Sequence, residues 1–310
     1  MLYWYLQAEK MDIPSIETFL IVARKQSFSL TAEALYLTQP AISKRIAALE
    51  SELDCKLFDR VKKKIVLTEA GRLFLPGAQT IVQEIKNRKN SLAEMGGLVS
   101  GELVMATSHH IGLHHLPPIL KQYVNQYPKV DLKLNFMESE AACQAVENAE
   151  IELAVITLPI EPPACLNLVH IWQDPLTFAV HNNHPLIEII RQNNRISEQL
   201  NHEDINTLTQ FPAILPEQGT YTRELLDRYF YESEMNVQVK LSNNYLETIK
   251  MMVSVGLGWS VLPQTLIDNT LTALTIPGFT VNRALGIVSH KKRTLSHAAQ
   301  KMANLINQSI

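Results

Sequence analysis

The chain has 310 residues, is 46% hydrophobic and carries a formal net charge of −3. That length exceeds one ordinary core and predicts two or three domains. The near-neutral charge excludes a broadly basic surface, and with it a DNA-architectural role, so any nucleic-acid contact must be local. Cys55, Cys143 and Cys165 are odd in number and widely spaced, with no CxxC pair; they read as reduced, mostly buried thiols. No run of about 18 apolar residues is present to span a bilayer, and the N-terminus lacks the basic region and cleavage site of a signal peptide. A cytoplasmic protein with no membrane partner is expected. Residues 1–10 (MLYWYLQAEK) precede a more orderly pattern that starts at Met11, which makes Met11 an alternative to Met1 as the translation start.

From Ile16, the residues Ile16, Phe19, Leu20 and Ala23 follow helical spacing, and the segment ends near 25–27. A second short helix follows, with Ser29 or Thr31 as its expected cap and Ala32, Ala34 and Leu35 as small or apolar contacts. Residues 36–38 form a turn, Thr38 is the expected cap of a third helix, and Pro40 sits in its first turn, where a missing N–H costs little. On a helical wheel Ile42, Ile46 and Leu49 share one side, and Gln39, Pro40, Ser43, Lys44 and Ala47 share the other. The second face is slim, polar and cationic, as a helix entering a major groove about 12 Å wide requires. Gln39 suits adenine, Lys44 guanine, Ser43 a base or phosphate, and Arg45 a phosphate. After Leu57-Phe58, the cations Arg60, Lys62, Lys63 and Lys64 lead into Ile65-Val66-Leu67, a returning hairpin strand. Standing alone, a lysine run is a solvated turn; beside a helix-turn-helix it forms a wing that tracks phosphates without reading sequence.

The run 27–46 (SFSLTAEALYLTQPAISKRI), with Leu49-Glu50, 57–60 (LFDR) and 67–71 (LTEAG), resembles the signature of LysR-type transcriptional regulators. The resemblance implies an N-terminal winged helix-turn-helix over 11–69, a linker helix over 70–95 that dimerises antiparallel to its partner, and an effector-binding domain over 101–310. It implies double-stranded promoter DNA, a small-molecule effector, RNA polymerase and further copies of the chain, as a dimer of dimers, for partners. Thr38, Gln39, Pro40, Ser43, Lys44, Arg45, Arg60, Lys62, Lys63 and Lys64 form the candidate DNA-binding set. Lys44 departs from the arginine common at its position and lacks the planar fork for guanine, which leaves open whether Lys44 or Arg45 reads a base.

In the linker, Phe74, Ala78, Ile81, Ile85 and Leu92 recur at spacings of three, four and seven, a stripe suited to pairing with a second copy. Thr68 is the expected cap, and Pro76 is expected to bend or loosen the first turns. Residues 95–101, with three glycines, read as a joint.

Beyond Glu102 the pattern alternates: strands over 103–107, 131–136 and 153–157 with helices over 116–127 and 141–149, then strands over 176–180, 213–215, 237–241 and 260–262 with helices over 223–231 and 245–255. Residues 153–157 (LAVIT) read as a strand inside a parallel sheet. The order implies two α/β halves. By resemblance these are the lobes of a periplasmic-binding-protein-like domain, lobe I at 101–162 and 268–310 and lobe II at 163–267, joined by two crossing strands, with the C-terminal helix returning to lobe I. Ligands of open α/β sheets sit beyond strand carboxyl ends, near helix N-termini. Candidate effector residues are therefore Thr107, Ser108 and His109 after the first strand, Thr157 after the third, and Gly219, Thr220 and Thr222 before a helix. These offer hydrogen bonds and no carboxylate, which points to a small organic acid as effector and to no other cofactor. Ile111, Leu113 and Trp259 either surround its aliphatic part or fill the core. Residues 256–263 (GLGWSVLP) turn a helix into a strand and are no nucleotide loop.

Two rival readings compete. His109, His110, His114 and His115 suggest a metal-responsive regulator, with His110 and His114 four apart on a helical face, but no further ligand joins them at a recognisable spacing, so no metal site is assigned. A metabolite-acting enzyme would need a nucleophile elbow, a phosphate loop or a persuasive carboxylate pair, and the sequence offers none, so a non-enzyme is expected.

Overall fold

The computed structural model describes residues 12–61, 64–93, 99–192, 200 and 202–309. They form two compact units, the second of which starts at Val99. The residues around Met11, and most of the joint at 95–101, lie outside the described residues.

In the first unit α1 (Ile13–Lys25) begins earlier than its apolar spacing suggests, because Asp12 caps it by accepting a hydrogen bond from Ser15 N at 2.8 Å. The cap of α2 (Phe28–Ala34) is Ser27, which accepts from Leu30 N. Ser29 and Thr31 therefore lie inside the helix, and the Thr31 hydroxyl donates to Ser27 O at 2.8 Å. The turn into α3 (Gln39–Glu52) is a Schellman closure: Leu37 N–H donates to Ala32 O and Tyr36 N–H to Glu33 O, with Tyr36 left-handed at φ 54°. Thr38 occupies the cap position of α3, but its side chain makes no capping bond. Ile42, Ile46 and Leu49 are buried against Phe19 and Val22 of α1, and the Phe19 ring lies 5.2 Å from those of Phe58 and Phe74.

The hairpin β1 (Phe58–Val61) and β2 (Lys64–Leu67) pairs antiparallel, with Arg60 opposite Ile65 and Val61 opposite Lys64. Buried Glu50 fixes its start to α3, accepting from Leu57 N at 2.9 Å, Phe58 N at 3.2 Å and Lys56 Nζ at 2.7 Å. Thr68 caps α4 (Glu69–Ala93), accepting from Gly71 N and donating to Lys56 O. Gly71 is required there because a Cβ would stand 2.2 Å from Leu57 O. Pro76 lies inside α4 without ending it. The apolar stripe of α4 is divided: Phe74 and Ala78, joined by Val82, belong to the core of their own unit, whereas Ile81 is 42% exposed and Ile85 half-buried. The expectation that the whole stripe awaits a second copy is thus corrected for its first half; the Leu92 side chain lies outside the described residues.

The second unit is built on one mixed sheet. Its strands are β3 (Gly101–Thr107), β4 (Val130–Phe136), β5 (Leu153–Thr157), β6 (Leu166–His181), β9 (Ser260–Pro263), β10 (Leu271–Leu274) and β11 (Asn282–His290), in the order β10-β6-β11-β5-β3-β4 with β9 also on β6. Strand β5 is parallel to β3 but antiparallel to β11, so it does not sit inside a purely parallel sheet. Strand β6 pairs with β11 as far as Pro175 and with β9 and β10 from Leu176 onward. It is a crossing strand, and its proline stands where the partner changes. The second crossing is β11, which starts opposite Pro175. Residues Leu271, Leu274 and Ile276 belong to the cores of the second lobe, and Leu166 and Ile171 to those of the first. The expected lobe limits at 162/163 and 267/268 are therefore displaced to about 175 and 281.

Each lobe has two apolar cores. In the first, α5 (His109–His114), α6 (Pro117–Gln126) and the C-terminal α12 (His297–Asn307) cover one core, with Tyr123 Oη donating to Ala298 O at 2.9 Å, and α7 (Ser139–Glu147) covers the other. The second lobe adds α8 (Pro185–Gln192), α9 (His202–Thr209), the parallel pair β7 (Ala213–Leu215) and β8 (Val239–Ser242), α10 (Tyr221–Glu232) and α11 (Leu246–Ser254). Gly258 admits close strand approach, since a Cβ would stand 2.2 Å from Pro212 O. Cys143 is buried, Cys55 and Cys165 are half-buried, and all three are free thiols.

Candidate functional site

On α3 the residues that face away from the core are Gln39, Pro40, Lys44 and Ala47, all exposed, with Ser43 and Arg45 half-buried. Gln39 Nε2 donates to Ser43 Oγ at 3.2 Å, a weak surface bond between neighbouring turns. Thr38 is exposed at the helix start. Lys44 thus lies on the open face, and Arg45 at its flank. Of the wing cations, Arg60 and Lys64 belong to the paired strands, and Lys62 and Lys63 lie outside the described residues. Glu50 and Gly71 are positioning residues whose roles spacing alone does not disclose.

A second candidate site is a cleft between the lobes. Ser108, His109, His110, Glu138, Ser139, Glu140, Thr157, Thr220, Thr222, Asn244, Tyr245 and Arg283 line it. Five of the seven expected effector residues come together there. The other two do not line it: the Thr107 hydroxyl is buried and donates to Val155 O at 2.8 Å, and Gly219, at φ 84°, makes the turn before α10. Thr220 caps α10 by accepting from Arg223 N and donates to Glu217 O at 2.9 Å, so its hydroxyl is already engaged. Ile111 and Trp259 are fully buried in the cores, with Trp259 stacked on Phe178, while Leu113 is exposed.

The expectation of a cleft without carboxylates is wrong. Glu138 and Glu140 stand on its wall, at the start of α7. Burial, and then the charge of Glu140, raises the Glu138 pKa above the ordinary glutamate value. The Glu140 carboxylate reaches across the cleft and accepts from Tyr221 N, the first N–H of α10. The cationic group of the site is Arg283, which is directly opposite Asp174 in the β6–β11 register. Its Nε donates to Asp174 Oδ2 at 2.9 Å and Nη2 donates to the same oxygen, with both residues almost fully buried, and Nη1 lies 3.4 Å from Thr222 Oγ1. An ion pair is therefore set where the chain crosses between lobes. Sequence spacing gave no sign of it, because its partners are 109 residues apart.

Histidines of α5 also reach across. His109 makes an edge contact with Tyr245, ring centroids 4.4 Å apart. His110 Nδ1 and His114 Nε2 each lie 3.1 Å from Glu247 Oε1. Burial alone would raise the Glu247 pKa, but the hydrogen bonds from His110, from its own backbone and from His114 lower it to about 2. Burial lowers the His110 pKa, and burial lowers that of His115 as well, so both rings favour the neutral form. The histidine cluster, which at the level of spacing has no further ligand, thus meets two carboxylates, Glu247 and Asp174.

The family model described as "Bacterial regulatory helix-turn-helix protein, lysR family" matches residues 13–72, and that described as "LysR substrate binding domain" matches residues 96–310. The HTH-type transcriptional activator CmpR of a Synechocystis species is 30% identical over 293 residues, which cover 92% of this chain and 91% of CmpR. Among solved structures, full-length OxyR from Pseudomonas aeruginosa is similar with a TM-score of 0.73 and 21% identity, covering 96% of this chain and 95% of that one. CbnR in complex with its target DNA is similar with a TM-score of 0.62 and 18% identity, covering 97% and 100%. No helix among the described residues is long and apolar enough to cross a membrane. With both family models spanning nearly the whole described chain, on a helix-turn-helix and a two-lobed cleft domain, this protein belongs to the LysR family of transcriptional regulators.

Proposed function

We propose that the chain acts in the cytoplasm as a homo-oligomeric promoter-binding regulator and not as an enzyme, reading DNA with the open face of α3 and responding to a small organic acid in the interlobe cleft. The observation that carries the DNA reading is that Gln39, Pro40 and Lys44 are exposed together at the start of α3, free of any part in the core. In this reading Thr38, Gln39, Pro40, Ser43 and Lys44 meet the major groove. Arg45 and the wing residues Arg60, Lys62, Lys63 and Lys64 hold phosphates. The exposed Ile81 and the half-buried Ile85 of α4 meet a second copy, and two dimers pair on adjacent sites, where RNA polymerase is the further partner.

The acid reading is supported by Ser108, Thr157 and Thr222 standing around one cleft with Arg283 among its lining residues. Glu138 and Glu140 narrow the class to acids that also bear a hydroxyl or ammonium donor, since a bare anion would face two carboxylates. Coupling follows if the acid binds one lobe arrangement more tightly than the other. The test is a thermal-shift screen of hydroxy and amino acids against the full-length protein, repeated with Ser108→Ala and Thr157→Val. The proposal expects a raised Tm for the parent and a reduced shift in both variants; equal stabilisation of all three removes the cleft as the site.

A further inference from the structure

His110 lies on α5, His115 directly follows that helix, and Asp174 stands on β6 where it crosses between the lobes. One ring nitrogen of each histidine and a carboxylate oxygen of Asp174 all lie within 4.8 Å of one another. His110 Nε2 is 3.7 Å from Asp174 Oδ2, too far for a hydrogen bond. His110 Nε2, His115 Nε2 and Asp174 Oδ1 are all buried without a hydrogen-bond partner, and His110 and Asp174 are 3% and 2% exposed. Buried polar atoms are almost always satisfied, so the presence of one orphan on each of the three clustered residues singles this place out as a candidate ligand site.

Its chemistry follows from the proton positions. Glu247 as a carboxylate only accepts, so the 3.1 Å bond from His110 Nδ1 puts the ring proton on Nδ1 and leaves a bare lone pair on Nε2. A carboxylate behind one ring nitrogen is the arrangement that orients imidazoles as metal ligands. Arg283 occupies Asp174 Oδ2 and leaves Oδ1 without a partner. Around His110, Arg283 contributes one positive charge and the carboxylates Asp174 and Glu247 two negative ones. Two imidazoles with one carboxylate form the donor set of zinc and its first-row neighbours, whereas calcium and magnesium select oxygen.

We propose that His110, His115 and Asp174 bind a divalent transition-metal ion of the zinc class, at the crossing between the lobes. The site shares His110 with the lining of the cleft, but it rests on no property of the organic acid, and the metal titration is read without it. His114, on the far side of Glu247, is not a ligand in this arrangement.

The test uses untagged full-length protein, stripped with a chelator and titrated with Zn²⁺ alone, the bound metal being counted after gel filtration. Co²⁺ serves as a second probe, read by visible absorption. One ion per chain is expected, with at least about tenfold weaker binding in His115→Gln and Asp174→Asn, and parent-like binding in His114→Gln. Circular dichroism checks folding, and if Asp174→Asn misfolds through loss of the Arg283 pair, His115→Gln alone decides. Protein that takes up no ion, or unchanged affinity in His115→Gln, overturns the proposal. Binding lost in His114→Gln and kept in His115→Gln would assign the ion to His110, His114 and Glu247 and overturn it equally.

Discussion

The open face of α3 and the interlobe cleft are both polar, but their side chains stand in different relations to the fold. Gln39, Pro40 and Lys44 are exposed and contribute nothing to the core of their unit. In the cleft Thr220 caps a helix, Glu140 holds a helix N–H, and Arg283 is paired to Asp174 in the crossing strands. In the proposed reading, the α3 face can therefore change its chemistry without touching stability, whereas a cleft residue holds the fold as well as the proposed ligand site, and its substitution disturbs both.

The largest effect separating the two regions is expected at the crossing. Arg283→Gln leaves the Asp174 carboxylate buried without its cation, which should cost about 3–5 kcal/mol. Urea unfolding followed in the second unit should show it, and an unchanged midpoint would place the pair outside the stability account. Next comes pH. All ten histidines lie after residue 108, so acid titration of imidazoles acts on the second unit alone. Burial lowers the His184 pKa from 6.5 to about 4, and its Nδ1 accepts from Leu186 N at 3.2 Å. Because the folded form resists protonation, this stability is complete above pH 6.5 and is lost as pH falls towards 4, by up to roughly 3 kcal/mol. His184→Gln should flatten the melting temperature of the second unit across that window; an identical pH profile would exclude His184 as the cause. A smaller effect is expected on α4, where Ile81→Asp with Ile85→Asp should reduce the oligomer seen by light scattering, since Ile81 is exposed outside the core of its unit. An unaltered mass would assign association to another surface.

The helix-turn-helix was legible because its information is local: the buried Ile42, Ile46 and Leu49 and the exposed Gln39 and Lys44 follow one helical period. What failed there was capping, since Ser27, Ser29 and Thr31 are equivalent by residue type and only backbone geometry selects Ser27. In the second unit β6 was seen only after Pro175, because proline within a run argues against a strand. Strand β11 was missed because Gly286 interrupts it, at a register shift where a Cβ would stand 2.2 Å from Val169 O. These two strands carry Asp174 and Arg283, so losing them hid the ion pair, the lobe limits and the second half of the histidine cluster. The cleft hydroxyls were found through the ends of the first and third strands and the start of a helix, whereas Glu138 and Glu140 were missed because they follow the second strand, β4, whose carboxyl end was not among those places.

The central claim, that DNA recognition resides on a face of α3 independent of the fold, is tested most directly by Gln39→Ala in the full-length protein. Its melting temperature and its binding to a duplex selected from random sequence, against a scrambled duplex, are measured together at one salt concentration. The account predicts an unchanged Tm and a loss of about 1–3 kcal/mol of preference for the selected duplex, the value of a good bidentate base contact. A variant that discriminates as well as the parent, or that loses binding only because it melts earlier, would contradict it.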